Sequence, residues 1–244
     1  YDDGSDSNHT MSVAGTPPQG TFGPFARPDG QWSTRFNDRP DEGDWIDISS
    51  SSDFAYGAND FTIECFFFLT KPVSHSNYII DNSTSGSQYN VVYITSAGHL
   101  EWKDWSNSGS VDHDHRIADD VTIGVWHHVA ISRASGTVSF YYDGTRMNTL
   151  TGTSTFSVST PLRIGNYIGG GSYMFQGYLS NIRLVDATAV YSGTSITVPT
   201  SALTSTGSDT KLLTCQSNRL IDNSASAHTL TTHDFPKASA FTPF

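Results

Sequence analysis

The sequence has only two cysteines, three methionines and three glutamates, and only 13 lysines and arginines against 24 acidic residues. Two cysteines cannot build a multi-disulfide scaffold. Cys65 and Cys215 each sit in an apolar stretch, "IECFFF" and "KLLTCQ", where they could bridge or pack as two buried thiols. The scarcity of glutamate (Glu42, Glu64 and Glu101 alone) leaves aspartate as the main acid, which suits turns, where its short side chain bonds to nearby backbone. The net charge of −11 disfavours a nucleic-acid backbone or an anionic membrane as partner. The longest strongly apolar run, "FTIECFFFL", is far short of the ~20 residues of a membrane-spanning helix, so a soluble chain without membrane insertion is expected. Stretches with the period of an amphipathic helix are scarce too. The first residue is Tyr1 rather than Met, and no signal-peptide pattern opens the sequence, so a processed chain or a part of a longer one is expected.

What is present is β-texture over 244 residues with 36% apolar content, enough for one principal domain with a sizeable core. Ile46 and Ile48 alternate with Asp47, the period of a half-buried strand. In Phe61 to Leu69, residues Phe61, Ile63, Cys65, Phe67 and Leu69 line one face and Phe66 and Phe68 the other, which predicts a central strand covered on both sides. "YIIDN", "YNVVYITSAGHLEW" and "GVWHHVAISRASGTVSFYYDGTRM" follow as strands. Ser135-Gly136 and Asp143-Gly144 read as two-residue hairpin turns, and Ala97-Gly98 as another turn. "TPLRIGN" and "GYLSNIRLVDA" supply further strands, and the many short strands predict an all-β antiparallel β-sandwich. After Thr197 a loop-like stretch, a short apolar strand and turn residues suggest a C-terminal arm.

The sequence also repeats itself. "HTMSVAGTPPQGTFGPF" (9–25) and "HTLTTHDFPKASAFTPF" (228–244) align without a gap at an offset of 219 residues. Extended back to Asp3 and Asp222, Ser5 and Ser224, Ser7 and Ser226, nine of twenty-five pairs are identical, well above what this composition gives by chance. An offset of 219 is a whole domain, far beyond the ~20–50 residues of solenoid repeats. Either the chain is one link of a tandem array, or similar terminal segments pack as neighbours in one sheet. Both readings point to a building block of an elongated assembly. The expected organisation is a junction segment over 1–25, a sandwich over 26–197 and, over 198–244, an arm with the final strand.

Several residue sets are candidates for chemistry. "VDHDHR" places His113 and His115 on one face of a strand and Asp112 and Asp114 on the other, so either pair could chelate a metal ion; a solvated loop is the plain alternative. His127-His128 cannot grip one metal from a strand, because neighbours point to opposite faces, and one of them is expected to be buried and hydrogen-bonded. Sugar recognition pairs aromatic faces with amides and carboxylates in a shallow site. Trp102, Asp104, Trp105 and Asn107, with the loop from Tyr167 to Tyr173, are the ligand-binding candidates, set against ordinary core packing of such aromatics. Gly169-Gly170-Gly171 reads as a flexible hairpin loop, since no Lys-Ser/Thr and no helix follows to make a phosphate cradle. Asn8-His9-Thr10 and Asn82-Ser83-Thr84 fit an N-glycosylation pattern, which carries little weight in so Ser/Thr-rich a chain.

"DFTIECFFFL", "AGHLEW", "GVWHHVAISRASGTVSFYYDG", "PLRIGN" and "MFQGYLSNIRLVDATAVY", in this order over Trp32 to Tyr191, closely resemble the laminin-G-like domains of the concanavalin A-like superfamily. The resemblance implies a jelly roll of two curved antiparallel sheets. The tail "TKLLTCQSNRLIDNS", leading to Phe-x-Pro-Phe, resembles the version found in virion structural proteins of marine tailed phages, especially cyanophages. That implies a non-enzymatic module of a capsid fibre or tail fibre on the virion surface, with other virion proteins, copies of itself or host-surface glycans as partners. The alternative is an extracellular carbohydrate-binding adhesin. Glycan hydrolases of the superfamily carry Glu-x-Asp-x-Glu or a close variant on the catalytic strand, and no glutamate here sits in such a pattern; Glu101 and Asp104 have the wrong spacing. No enzyme and no cofactor are expected. Calcium is a family option, for which Asp41, Asp44, Asp119 and Asp120 lie in suitable loops without matching a family ligand position.

Overall fold

The predicted central strand organises the molecule. In the computed structural model, which describes residues 27–37, 43–72, 74–84, 88–105, 113–151, 160–169 and 173–244, Phe61–Leu69 is a nine-residue strand with eight of its side chains buried. Its odd-numbered aromatic and aliphatic residues enter the core, and each fully buried Phe adds roughly 1.5–3 kcal/mol over an exposed one. In chain order the strands are β1 Ser33–Phe36, β2 Trp45–Ile48, β3 Phe61–Leu69, β4 Asn77–Thr84, β5 Gln88–Ile94, β6 Leu100–Trp105, β7 His113–Ala118 and β8 Trp126–Ala134. They continue with β9 Thr137–Tyr142, β10 Thr145–Thr151, β11 Leu162–Ile164, β12 Gly177–Asp186, β13 Thr210–Thr214, β14 Leu230–His233 and β15 Lys237–Ser239.

Two antiparallel sheets form a sandwich. One runs β10-β9-β8-β3-β12-β1-β15, with β13 sharing the β1 side of β12; the other runs β14-β2-β11-β4-β5-β6-β7. The core between them gathers Phe36, Phe61, Phe67, Trp102, Phe140 and Phe175 with aliphatic residues from every layer. Both two-residue hairpins close as predicted, with Ser135 and Gly136 at φ 49° and 82° and Asp143 and Gly144 at 46° and 84°. Asn181, at φ 52°, sits where the β12–β3 register shifts, and its side chain holds Gly30 O and Leu203 N from two different loops.

Residues 198–244 lie on the same sandwich: β13 pairs with β12, β14 with β2 and β15 with β1. Residues 1–25, with the Asn8-His9-Thr10 pattern among them, lie outside the described residues, as do Gly170 and Gly171. Cys65 and Cys215 are both buried free thiols.

Candidate functional site

Register places tyrosines side by side on the outward face of the second sheet. Tyr78 on β4 and Tyr93 on β5 are cross-strand partners, while their neighbours Ile79, Val92 and Ile94 fill the core. Their rings stack at 5.2 Å between centroids. The segment after β11 then folds back over them. Gly165 turns the chain at φ 90°, where a Cβ would sit 2.5 Å from the Phe36 ring. Tyr167 follows, 5.1 Å from Tyr78, and Tyr173 stands edge-on to Tyr167 at 5.7 Å and 5.9 Å from Tyr78. Gly169 makes room for the Tyr167 ring, since a Cβ there would lie 2.4 Å from it. Ile168 N donates to Asp81 Oδ2 at 2.7 Å and Arg163 Nη1 to Tyr167 O at 3.1 Å, so the loop is tied to the sheet on both sides.

Polar groups border these rings. Arg163 forks onto Asp47 at 2.7 and 3.0 Å and lies 4.7 Å over the Trp45 ring, which stacks on His233 at 4.6 Å. On the other side Tyr93 Oη donates to Glu101 Oε2 at 2.8 Å, and Arg116 stands 3.6 Å from Glu101. A cleft of about 270 Å³ at the margin is lined by Asp47, Pro161, Arg163, Ile168 and Thr231. Tyr173 is 42% exposed, and Tyr78, Tyr93, Tyr167 and Trp45 are half-buried. The result is a shallow strip of ring faces edged by a guanidinium and carboxylates, a surface that can stack on the apolar face of a sugar and bond to its hydroxyls.

The structure brings Tyr167 and Tyr173 together as expected of one loop, but it separates them from Trp102 and Asp104. Both of those are fully buried. The Trp102 ring packs against Phe61, Phe140 and His115 and donates Nε1 to Asn90 Oδ1 at 2.8 Å, so it belongs to the core and presents no face to a ligand. Asp104 instead faces His115 across the β6–β7 pair at 3.2 Å. His115, expected as a metal ligand, is stacked between Trp102 and Phe140. The "VDHDHR" stretch is therefore strand β7 from His113 onward rather than a solvated loop. Asn107 and Asp112, and the side chains of Trp105, His113 and Asp114, lie outside the described residues. Among the described residues no three His, Cys, Asp or Glu side chains converge in a way that could hold a metal ion. Of the loop aspartates, Asp41 lies outside the described residues; Asp44 accepts the backbone N–H groups of Asn37 and Phe235 at 2.6 and 2.8 Å, a structural role, and Asp119 pairs with Arg116 at 3.1 Å.

A second polar cluster lies under the opposite sheet. Glu64 is fully buried and accepts Arg183 Nε and Nη2 on Oε1 at 2.8 and 2.5 Å, with Tyr191 Oη at 2.8 Å and His128 Nε2 at 3.3 Å on Oε2. Burial alone would push this carboxyl up, but the bonds and charges of His128, Arg183 and Tyr191 outweigh it and hold it below its ordinary value. Burial and the neighbouring Glu64 push the Tyr191 phenol up. Neither Glu64 nor His128 has an exposed side chain, while Tyr191 at the edge of the cluster is half-buried. His127 is buried as well, bonded to Asp143 at 2.7 Å, so both histidines of the pair are interior where one was expected.

A sequence reading by local pattern misses Tyr78, Tyr93, Trp45 and Arg163, because they meet only through cross-strand register. The alternations Val92-Tyr93-Ile94 and Leu162-Arg163-Ile164, each an outward side chain between two core aliphatics, are local signals for two of them.

The two antiparallel sheets and their strand order define a concanavalin A-like β-sandwich. The family model of the concanavalin A-like lectin/glucanases superfamily, in its laminin G-like form, matches residues 40–190, and the chain belongs to that family. No curated protein sequence matches. Among solved structures, a candidate carbohydrate-binding protein from Bacteroides ovatus is similar with a TM-score of 0.55 and 17% identity, over 84% of this chain and 61% of that one, which shows the shared fold. A pentraxin from Limulus polyphemus is also similar, with a TM-score of 0.46 and 18% identity over 65% of this chain and 77% of that one. The LG4-5 domains of mouse laminin α1 are similar with a TM-score of 0.48 and 15% identity, over 69% of this chain and 47% of that one.

Proposed function

We propose that this domain is a non-catalytic carbohydrate-binding module that takes a glycan on the outward face of the β4–β5 pair. The observation that carries the reading is the convergence of Tyr78, Tyr93, Tyr167 and Tyr173 within 6 Å of a neighbouring ring, edged by Arg163, Asp47 and Glu101. Tyrosine rings give large, rigid contact area at low entropic cost, and the charged border supplies hydrogen bonds to hydroxyls. The buried Glu64 cluster is a structural element in this reading, since a general acid must reach the glycosidic oxygen. The test is a glycan array probed with the intact chain and with Tyr173→Ala, where binding lost in the variant supports the reading.

A second reading places the module in a virion of a tailed phage, on a capsid fibre or tail fibre, with host-surface glycan as its target. The domain-length repeat and the resemblance of the "TKLLTCQSNRLIDNS" tail favour it. Neighbouring genes for capsid and tail proteins would support it; a signal peptide and surface-anchoring domains in the parent chain would replace it with a secreted adhesin.

A further inference from the structure

The outward face of β8 carries a cleft of a different chemistry. Trp126 and His128 are two residues apart on that strand, so their side chains leave the same side of the sheet, separated by roughly 7 Å of backbone. Register sets Phe68 and Phe66 beside them on β3, and the Phe66 ring lies 4.7 Å from that of His128. Two later segments then cross this face. Ile196 N donates to Gly144 O at 2.8 Å, which lays residues 198–200 beside the β9–β10 turn. Residues 241–244 bring Phe241 to 5.3 Å from Trp126 and Phe244 to 5.1 Å from Phe66. Between them remains a cleft of about 300 Å³, walled by Phe66, Trp126, Val198, Pro199, Pro243 and Phe244.

The other histidine and aspartate groups along this cleft are engaged. Asp143 Oδ1 accepts His128 N–H at 2.8 Å and Oδ2 accepts from His127 Nδ1 at 2.7 Å, while His127 Nε2 lies 3.0 Å from Thr122 O. Two atoms differ. Trp126 Nε1 and His128 Nδ1 are shut away from water and have no hydrogen-bond partner among the described residues, a costly state for a buried polar group. Their surroundings fix what each can do. An indole N–H only donates. Glu64, held in its ionised form, only accepts, so the proton of the His128 ring sits on Nε2, 3.3 Å from Glu64 Oε2. Nδ1 of the neutral ring is then an acceptor. The buried Glu64 cluster thus sets the tautomer that His128 shows to the cleft.

We propose that this cleft binds a small neutral secondary amide, such as an N-acetyl group, whose C=O accepts from Trp126 Nε1 and whose N–H donates to His128 Nδ1. A secondary amide carries one N–H and one C=O pointing in opposite directions, which matches one donor and one acceptor set apart along β8. Its apolar substituents meet the ring and proline walls. A sugar without an acetamido group brings several hydroxyls that those walls leave unpaired, and the Asp143 carboxylate at the rim repels an anion. A volume of about 300 Å³ is at the small end for ligand sites, and Phe244, half-buried, is the wall that moves to admit the group. The cleft lies on the sheet opposite the tyrosine face and stands apart from glycan binding there.

The test uses the intact ¹⁵N-labelled chain, with the Trp126 indole N–H signal assigned from its absence in Trp126→Phe. N-acetylglucosamine and N-acetylglycine methylamide, an amino sugar and an acylated amino acid, are titrated into it. At least one should shift that signal in a saturable way, and the one that does names the source of the amide. Glucose and methyl acetate, which lack the amide N–H, should leave the signal in place. Followed by calorimetry, Trp126→Phe keeps a ring, removes the donor and should weaken amide binding tenfold or more, whereas Tyr173→Ala should leave it unchanged. A Trp126 signal that neither amide moves, or that methyl acetate moves equally, overturns the inference. Binding of N-acetylglucosamine that is lost in Tyr173→Ala and leaves the Trp126 signal in place overturns it as well, while supporting the tyrosine face as the glycan site.

Discussion

Arg183 approaches Glu64 with two of its nitrogens on one carboxylate oxygen, at 2.8 and 2.5 Å, and both side chains are shut away from water. A buried pair of this kind gives little net stability against an apolar replacement, but removing one partner strands the other charge. Arg183→Ala is therefore expected to destabilise the domain by about 3–5 kcal/mol in urea unfolding. Replacing Glu64 and Arg183 together by Leu and Met should cost less than Arg183→Ala alone.

The same carboxylate sets an acid limit. The folded value of Glu64 lies below its ordinary 4.5, so its contribution is present above that pH and is lost as pH falls through the folded value, because the unfolded chain takes up the proton first. Asp143, held low against the effect of burial by His127 and His128, acts in the same direction. Stability measured from pH 7 to pH 3 should drop, and Glu64→Gln should flatten the part of that drop due to Glu64.

Asp81 has the opposite sign. Burial raises its carboxyl above the ordinary 3.8, outweighing the Ile168 N–H and the Arg163 charge. Its ionised form is therefore disfavoured in the fold, and its contribution becomes more favourable as pH falls through the folded value toward the unfolded one. Asp81→Asn keeps an acceptor for Ile168 N–H without the charge. The variant should be at least as stable as the parent at pH 7, with the difference shrinking by pH 4.

Both thiols should be inert while the chain is folded. Burial pushes Cys215 up to about 12 and Cys65 higher still, which leaves almost no thiolate at neutral pH. A thiol-reactive probe should label neither until denaturant is added, then both together.

The sandwich was legible because its strands announce themselves locally: the face alternation of Phe61 to Leu69, the Ser135-Gly136 and Asp143-Gly144 turns, and the family-like order of segments. The site was legible only in part. Tyr167 and Tyr173 share a loop and could be grouped, whereas Tyr78 meets Tyr93 through the β4–β5 register, and Arg163 reaches them because β11 pairs with β4, a strand far from it in sequence. Trp102 and Asp104 looked like ligand residues because aromatic and acidic residues sit close together there; their burial depends on β6 lying against β7 and β9, which no local pattern reveals. Glu64 likewise met Arg183 over 119 residues of chain.

The proposed role of the tyrosine face is to bind a glycan without cleaving it. The most direct measurement is a glycan array read with the intact chain, Tyr173→Ala and Gly169→Ala, the last because a Cβ there would displace the Tyr167 ring. Binding to at least one glycan class, weakened about tenfold or more in each variant (~1.4 kcal/mol) while the sugar stays intact, is the predicted result. Absence of binding to any glycan, or binding that both variants leave unchanged, would contradict it.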